Sequence, residues 1–69
     1  MKESVVNRVY EIRSKAHITQ EELAEAVGVT RQTIIAVEKG NYTPSVLLAL
    51  RMAKYFKKTV EEIFYLKHE

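Results

Sequence analysis

Residues 19–40 read TQEELAEAVGVTRQTIIAVEKG. Two helix starts and two glycine stops are written into them. Thr19 and Glu22 have capping-box spacing, in which each side chain accepts from a backbone N–H near the other. Leu23, Ala24 and Val27 then fall on one face of a helix. Gly28 ends that helix in the left-handed conformation, which glycine adopts at little cost. Thr30 is a second N-cap. The helix it opens runs to about Lys39, and Gly40 closes it. Only Gly28, Val29 and Thr30 lie between the two helices, so the joint fixes their crossing angle.

Ala24 is small where the second helix must pass close by. Val29 plugs the corner, and Ile34 and Val37 anchor the second helix to a core. These positions, with Leu23, Val27 and Gly28, make the full pattern of a helix-turn-helix.

Outward from this pair, the 69-residue chain reads as one helical domain, residues 1–69, with a core over about 5–64 and a tail over 65–69. With 46% hydrophobic residues it has the composition of a folding chain. There is no cysteine, hence no disulfide and no thiolate zinc site. Gly28, Gly40 and Pro44 are the only breakers, and no segment alternates apolar and polar residues as a half-buried strand does. A first helix is expected over residues 5–15, with Ser4 as N-cap and Val5, Val9, Ile12 and Ala16 as its apolar stripe. A fourth begins near Pro44 and runs to about Phe56, with Val46, Ala49, Leu50, Ala53 and Phe56 buried. A fifth follows the Thr59/Glu62 capping box, facing inward through Val60, Ile63 and Phe64.

The third helix decides the function. With Ile34 and Val37 pointing in, its outer side carries Gln32, Ile35, Ala36 and Lys39, with Arg31 and Thr33 on the flanks. That short face, with Arg and Gln at its N-terminal end, suits a helix entering the DNA major groove. Arg pairs with guanine, Gln with adenine, and a methyl-bearing side chain touches the thymine methyl. Net charge is +2 and pI about 9.0, which permits such a partner without requiring it.

The run TQEELAEAVGVTRQTIIAVEKGNYTPS, followed by LALRMAKYF and TVEEIF, closely resembles the Cro/C1-type helix-turn-helix regulators, the XRE family. The likeness covers roughly residues 7 to 66 and is greatest to the small stand-alone regulators. It implies an all-α, five-helix, Cro/C1 repressor-like domain. The implied function is sequence-specific binding to double-stranded operator DNA, as a homodimer and as a repressor. The family's phosphate-contacting glutamine falls on Gln20. Thr30, Thr33, Lys39, Asn41 and Tyr42 are placed to reach the DNA backbone, and the base-reading positions fall on Arg31, Gln32, Ile35 and Ala36. For Arg31, base and phosphate contact both stand as readings; for Ile35, base contact stands beside contact with a partner protein. Positions matching Arg13 and Glu38 form an ion pair in the family, tying the first helix to the end of the third.

Two departures from the family pattern stand out. YFKKTV has no glycine or asparagine after the fourth helix, so Lys57 or Lys58 must turn left-handed, at a cost of about 1 kcal/mol. Leu47 lies on the polar side of that helix, between Arg51 and Lys54, either as a tolerated exposed leucine or under a partner. The expected dimer surface is Tyr55, Phe64, Tyr65, Leu66 and Leu47, since aromatic residues are enriched at interface cores. The tail FYLKHE can also add a strand that pairs with its twin.

His17 and His68 are the only histidines, and neither has a second metal ligand at useful spacing. No phosphate-cradling glycine loop or nucleophile elbow is present. The expectation is a non-enzyme with no metal and no cofactor. MKESVVNRVY is no signal peptide and no run is long enough to span a membrane, so the expected location is the cytoplasm. Two other functions remain open: an antitoxin paired with a toxin, and a protein-interaction module that does not bind DNA.

Overall fold

The computed structural model describes residues 3–68. Met1, Lys2 and Glu69, the termini of the expected domain, lie outside the described residues. In chain order the elements are β1 (Glu3–Asn7), α1 (Val9–Lys15), α2 (Gln20–Val27), α3 (Arg31–Glu38), α4 (Val46–Phe56), α5 (Val60–Ile63) and β2 (Phe64–His68). Among the described residues no helix is long and apolar enough to cross a membrane.

The starts of α2 to α5 are fixed by N-cap side chains. Thr19 Oγ1 accepts from Glu22 N at 3.0 Å, and Glu22 Oε1 accepts from Thr19 N at 2.8 Å. Thr59 and Glu62 make the same reciprocal pair at 3.2 and 2.8 Å. Thr30 caps α3. Ser45 caps α4, so that helix begins after Ser45 and not at Pro44. Gly28 has φ 75°, as the turn requires. Arg51 Nη1 sits 3.3 Å from the Val27 carbonyl and satisfies an orphan acceptor at the end of α2.

Leu23, Val27, Ile34, Val37, Met52, Ile63 and Val9 are fully buried and form one core cluster. Burying each such side chain is worth about 1.5–3 kcal/mol. No polar or charged residue among those described is buried with them.

The first helix differs from its expectation. Residues 3–7 are β1, and α1 begins only at Val9 with Arg8 at its N-cap, so Ser4 and Val5 belong to a strand and not to α1. The tail residues 64–68 form β2, which pairs antiparallel with β1 of the same chain: Val5 opposes Leu66, Val6 opposes Tyr65, and Asn7 opposes Phe64. Neither strand alternates cleanly. Val5–Val6 and Phe64–Tyr65–Leu66 put apolar side chains on both faces, which erases the period of two.

The buried face of α4 is also rotated. Leu48, Met52 and Ala53 are buried, with Ala49 and Phe56 packed at the edge, whereas Val46 and Leu50 are exposed. The sequence VLLALRMAKYF is charged only at Arg51 and Lys54 and apolar over the wide remaining arc; packing against α2 and α5 selects which part of that arc goes in. Phe64, expected both on the inner face of the fifth helix and at the dimer surface, is core at 8% exposure, so the inward reading holds and the dimer reading does not. Lys57, not Lys58, takes the left-handed turn, at φ 59°.

Candidate nucleic-acid interface

The helix-turn-helix joint sets α3 with Ile34 and Val37 at 0% exposure and its opposite side free. Arg31, Gln32 and Lys39 are exposed there, while Ile35 and Ala36 are half-buried. The only acid on α3 is Glu38.

Glu38 is occupied on both oxygens. Arg13 Nε donates to Oε2 at 2.6 Å, Arg13 Nη2 donates to Oε1 at 3.1 Å, and Gln20 Nε2 donates to Oε1 at 3.0 Å. Arg13 Nη1 donates in turn to the Ile18 carbonyl at 2.9 Å. The Arg13 and Glu38 side chains are only 11% and 6% exposed. Hydrogen bonding to Glu38 holds the Arg13 guanidinium above its ordinary pKa. The Arg13 guanidinium therefore stays charged at any working pH. The Tyr10 ring covers it from outside, with Arg13 Cζ 5.3 Å from the ring centroid.

This network ties α1, the start of α2 and the end of α3 to one point. It also removes the one negative charge of α3 from the surface. The family pattern supplied the Arg13–Glu38 pair. The bond from Gln20 and the cover from Tyr10 were missed, because they join residues that no local spacing relates.

Two shallow clefts flank α3. One is lined by Arg13, Thr19, Gln20, Glu21 and Arg31, so Arg31 lies beside Gln20 at the start of α2. The other is lined by Gln32, Thr33, Ala36, Asn41 and Tyr42, which brings the outer face of α3 together with the loop after it. Ile35 and Lys39 line neither cleft. Thr30 and Thr33 share a hydroxyl–hydroxyl hydrogen bond of 3.1 Å beside the cap, so each is partly committed within the helix start.

Of the residues expected at a dimer surface, Leu47, Tyr55, Tyr65 and Leu66 are exposed. Tyr65 also carries the Arg8 guanidinium, 4.2 Å above its ring centroid. His17 is exposed in the α1–α2 turn at φ 58°. Among the described residues no cluster of His, Cys, Asp or Glu could hold a metal ion.

A short, tightly held outer helix beside two capped N-termini defines a helix-turn-helix protein of the Cro/C1 type. The helix-turn-helix family model HTH_3 matches residues 9–63, and the chain belongs to that family of DNA-binding transcriptional regulators, which are not enzymes. It is 51% identical over 63 residues to YgzD, an HTH-type transcriptional regulator of Bacillus subtilis, covering 91% of this chain and 96% of that protein. It is 28% identical over 57 residues to RstR, a cryptic phage CTXphi transcriptional repressor of Vibrio cholerae, covering 83% of this chain and 51% of RstR. The structure is similar to the restriction-modification controller protein C.AhdI of Aeromonas hydrophila, with a TM-score of 0.75 at 29% identity, over 80% of this chain and 83% of that one.

Proposed function

We propose that the chain is a repressor that binds a two-fold symmetric operator as a homodimer in the cytoplasm, with α3 in the major groove. The observation that carries this reading is the Arg13–Glu38–Gln20 network. It holds α3 rigidly and leaves its outer face without a free carboxylate to repel DNA. In this reading Gln32, Ile35 and Ala36 touch base edges. Gln20, Thr30, Thr33, Lys39, Asn41 and Tyr42 hold phosphates and set the register. Gln20 gives one amide hydrogen to Glu38 and has the other for a phosphate, beside the partial positive charge of the α2 N-terminus. Arg31 serves either purpose: its place beside Gln20 suits phosphate, and its position in the first turn of α3 suits guanine.

An eight-residue α3 reads few bases alone. Two copies, with their recognition helices about 34 Å apart, double the contact. The likeness to RstR and to C.AhdI supports a regulator that acts by occupying its site.

The test is selection of random duplex DNA by the purified protein at about 150 mM salt, near the physiological ionic strength. The expected result is a palindromic consensus with half-sites one helical turn apart, and binding that weakens steeply as salt rises. Sequence-free binding, or none, overturns the operator reading and directs the search to a protein partner.

A further inference from the structure

The chain carries an apolar surface that its own fold does not use. Val46, Leu47 and Leu50 are 76%, 58% and 55% exposed. They lie at i, i+1 and i+4 on α4, so they share one side of the helix across two adjacent turns. Together they form a patch on the order of a few hundred Å2, the range of the largest patch on a typical single chain, which is often functional.

The charge around the patch selects its occupant. Gly40 to Leu50, GNYTPSVLLAL, is eleven residues without a charge in a chain that is 29% charged, and no other uncharged run is as long. A two-fold contact sets each residue near the axis against its own copy. Any charge there would meet a like charge, which is costly. The loop and the first turns of α4 satisfy that condition, with Lys54, one turn beyond Leu50, bordering the patch at its far end. The first charge beyond it, Arg51, is turned onto the Val27 carbonyl.

The C-terminal strand is less suited. Tyr65 is already engaged by Arg8, Leu66 opposes Val5 within the chain, and Glu3 Oε2 and His68 Nδ1 already meet at 3.2 Å across the strand ends.

We infer that the Val46–Leu47–Leu50 ledge of α4 is the surface by which two copies of this chain meet. This rests on the homodimer reading above, and narrows its contact from the expected set to Leu47 with its neighbours on the first half of α4. A small chain without disulfides also gains stability from burying such a patch.

Sedimentation equilibrium of the full chain tests it. Wild type is expected at twice the 8.0 kDa chain mass. The double variant Leu47→Glu/Leu50→Glu is expected at one chain mass with helical circular dichroism retained, since both positions are exposed. Leu66→Glu is expected to stay at the double mass. Leu50→Glu and Leu50→Lys, each of single mass alone, are expected to regain the double mass when mixed. A single mass for wild type, a double mass for Leu47→Glu/Leu50→Glu, dissociation by Leu66→Glu, or no recovery on mixing each overturns the ledge. The DNA reading fails separately: a chain that dimerises through α4 yet selects no duplex sequence keeps the ledge and loses the operator.

Discussion

α2 and α3 are joined by three residues and share a fully buried seam of Leu23, Val27, Ile34 and Val37. β1 and β2 come from opposite ends of the chain, and of their ten residues only Phe64 is buried. The first region is held by volume and by capped helix ends. The second is held by a backbone ladder and by a few side-chain bonds to the helices. Asn7 is the clearest of these: Nδ2 donates to the Val37 carbonyl at 2.9 Å, and Oδ1 accepts from Val9 N at 3.1 Å. One side chain thus anchors the sheet to the end of α3 and caps the entry to α1. The difference teaches that the DNA-facing half is a rigid wedge, while the sheet is a clasp closing the chain behind it.

The hardest strain on that comparison is Glu38→Ala. It strands the Arg13 guanidinium in a nearly dry site and frees Gln20. Removing one partner of this half-buried, charge-assisted pair costs about 2–3 kcal/mol. At roughly 4–8 °C per kcal/mol for a domain this small, the melting midpoint falls by about 10 °C or more. Affinity for the selected operator falls with it, measured below the new midpoint. If both stay at wild-type values, the network does not hold the wedge.

Asn7→Ala attacks the clasp instead. It removes two hydrogen bonds and leaves the Val37 carbonyl without that partner, at an expected cost of about 1–2 kcal/mol in chemical denaturation. Operator affinity of the folded protein should stay near wild type, because no residue of the proposed contact moves. A loss of affinity as large as that of Glu38→Ala would make the two regions one cooperative unit and end the comparison.

The two regions also differ in how far sequence discloses them. The caps at Thr19, Thr30 and Thr59 and the turn at Gly28 were legible because each is settled within about four residues of chain. The Arg13–Glu38 pair spans 25 positions and was legible only through the family pattern. The Glu3–His68 end of the sheet spans nearly the whole chain and left no local trace. α4 fails for another reason. Its sequence is apolar on too many sides, and only the partners it meets, α2 and α5, decide that Met52 goes in and Leu50 stays out. That ambiguity hid Val46 and Leu50, whereas Leu47, between Arg51 and Lys54, was legible as exposed.

Between wedge and clasp lies Lys57, left-handed at φ 59° where α4 hands over to α5. An L residue there costs about 1 kcal/mol relative to glycine. Lys57→Gly is therefore expected to stabilise by about 0.5–1 kcal/mol, since glycine's greater freedom in the unfolded chain offsets part of the gain. Denaturant midpoints at pH 7 measure it. A destabilised variant would mean that the Lys57 side chain contributes more than its backbone costs.

The smallest effect divides the regions by pH. Each carries one capping box: Glu22 at the start of α2, and Glu62 just before β2. Hydrogen bonds from the backbone of Thr19 hold the Glu22 carboxyl below the usual carboxylate range, and those from Thr59 do the same for Glu62. A depressed folded-state pKa stabilises the fold above the unfolded value, near about 4.3, and that contribution is lost as pH falls through the lowered folded value. Both carboxylates are exposed, so the loss per box is modest. Melting midpoints between neutral pH and about pH 3 should therefore fall less steeply in Glu22→Gln and in Glu62→Gln than in wild type. Hydrogen exchange separates the two boxes. On acidification, wild-type protection should weaken first at Thr19 N–H and Glu22 N–H in the wedge, and at Thr59 N–H and Glu62 N–H beside the clasp. Each Gln variant should abolish that pH dependence only at its own box. An unchanged acid slope in both variants would mean that other carboxylates carry the pH dependence. A change at Thr59 caused by Glu22→Gln would mean that wedge and clasp open together.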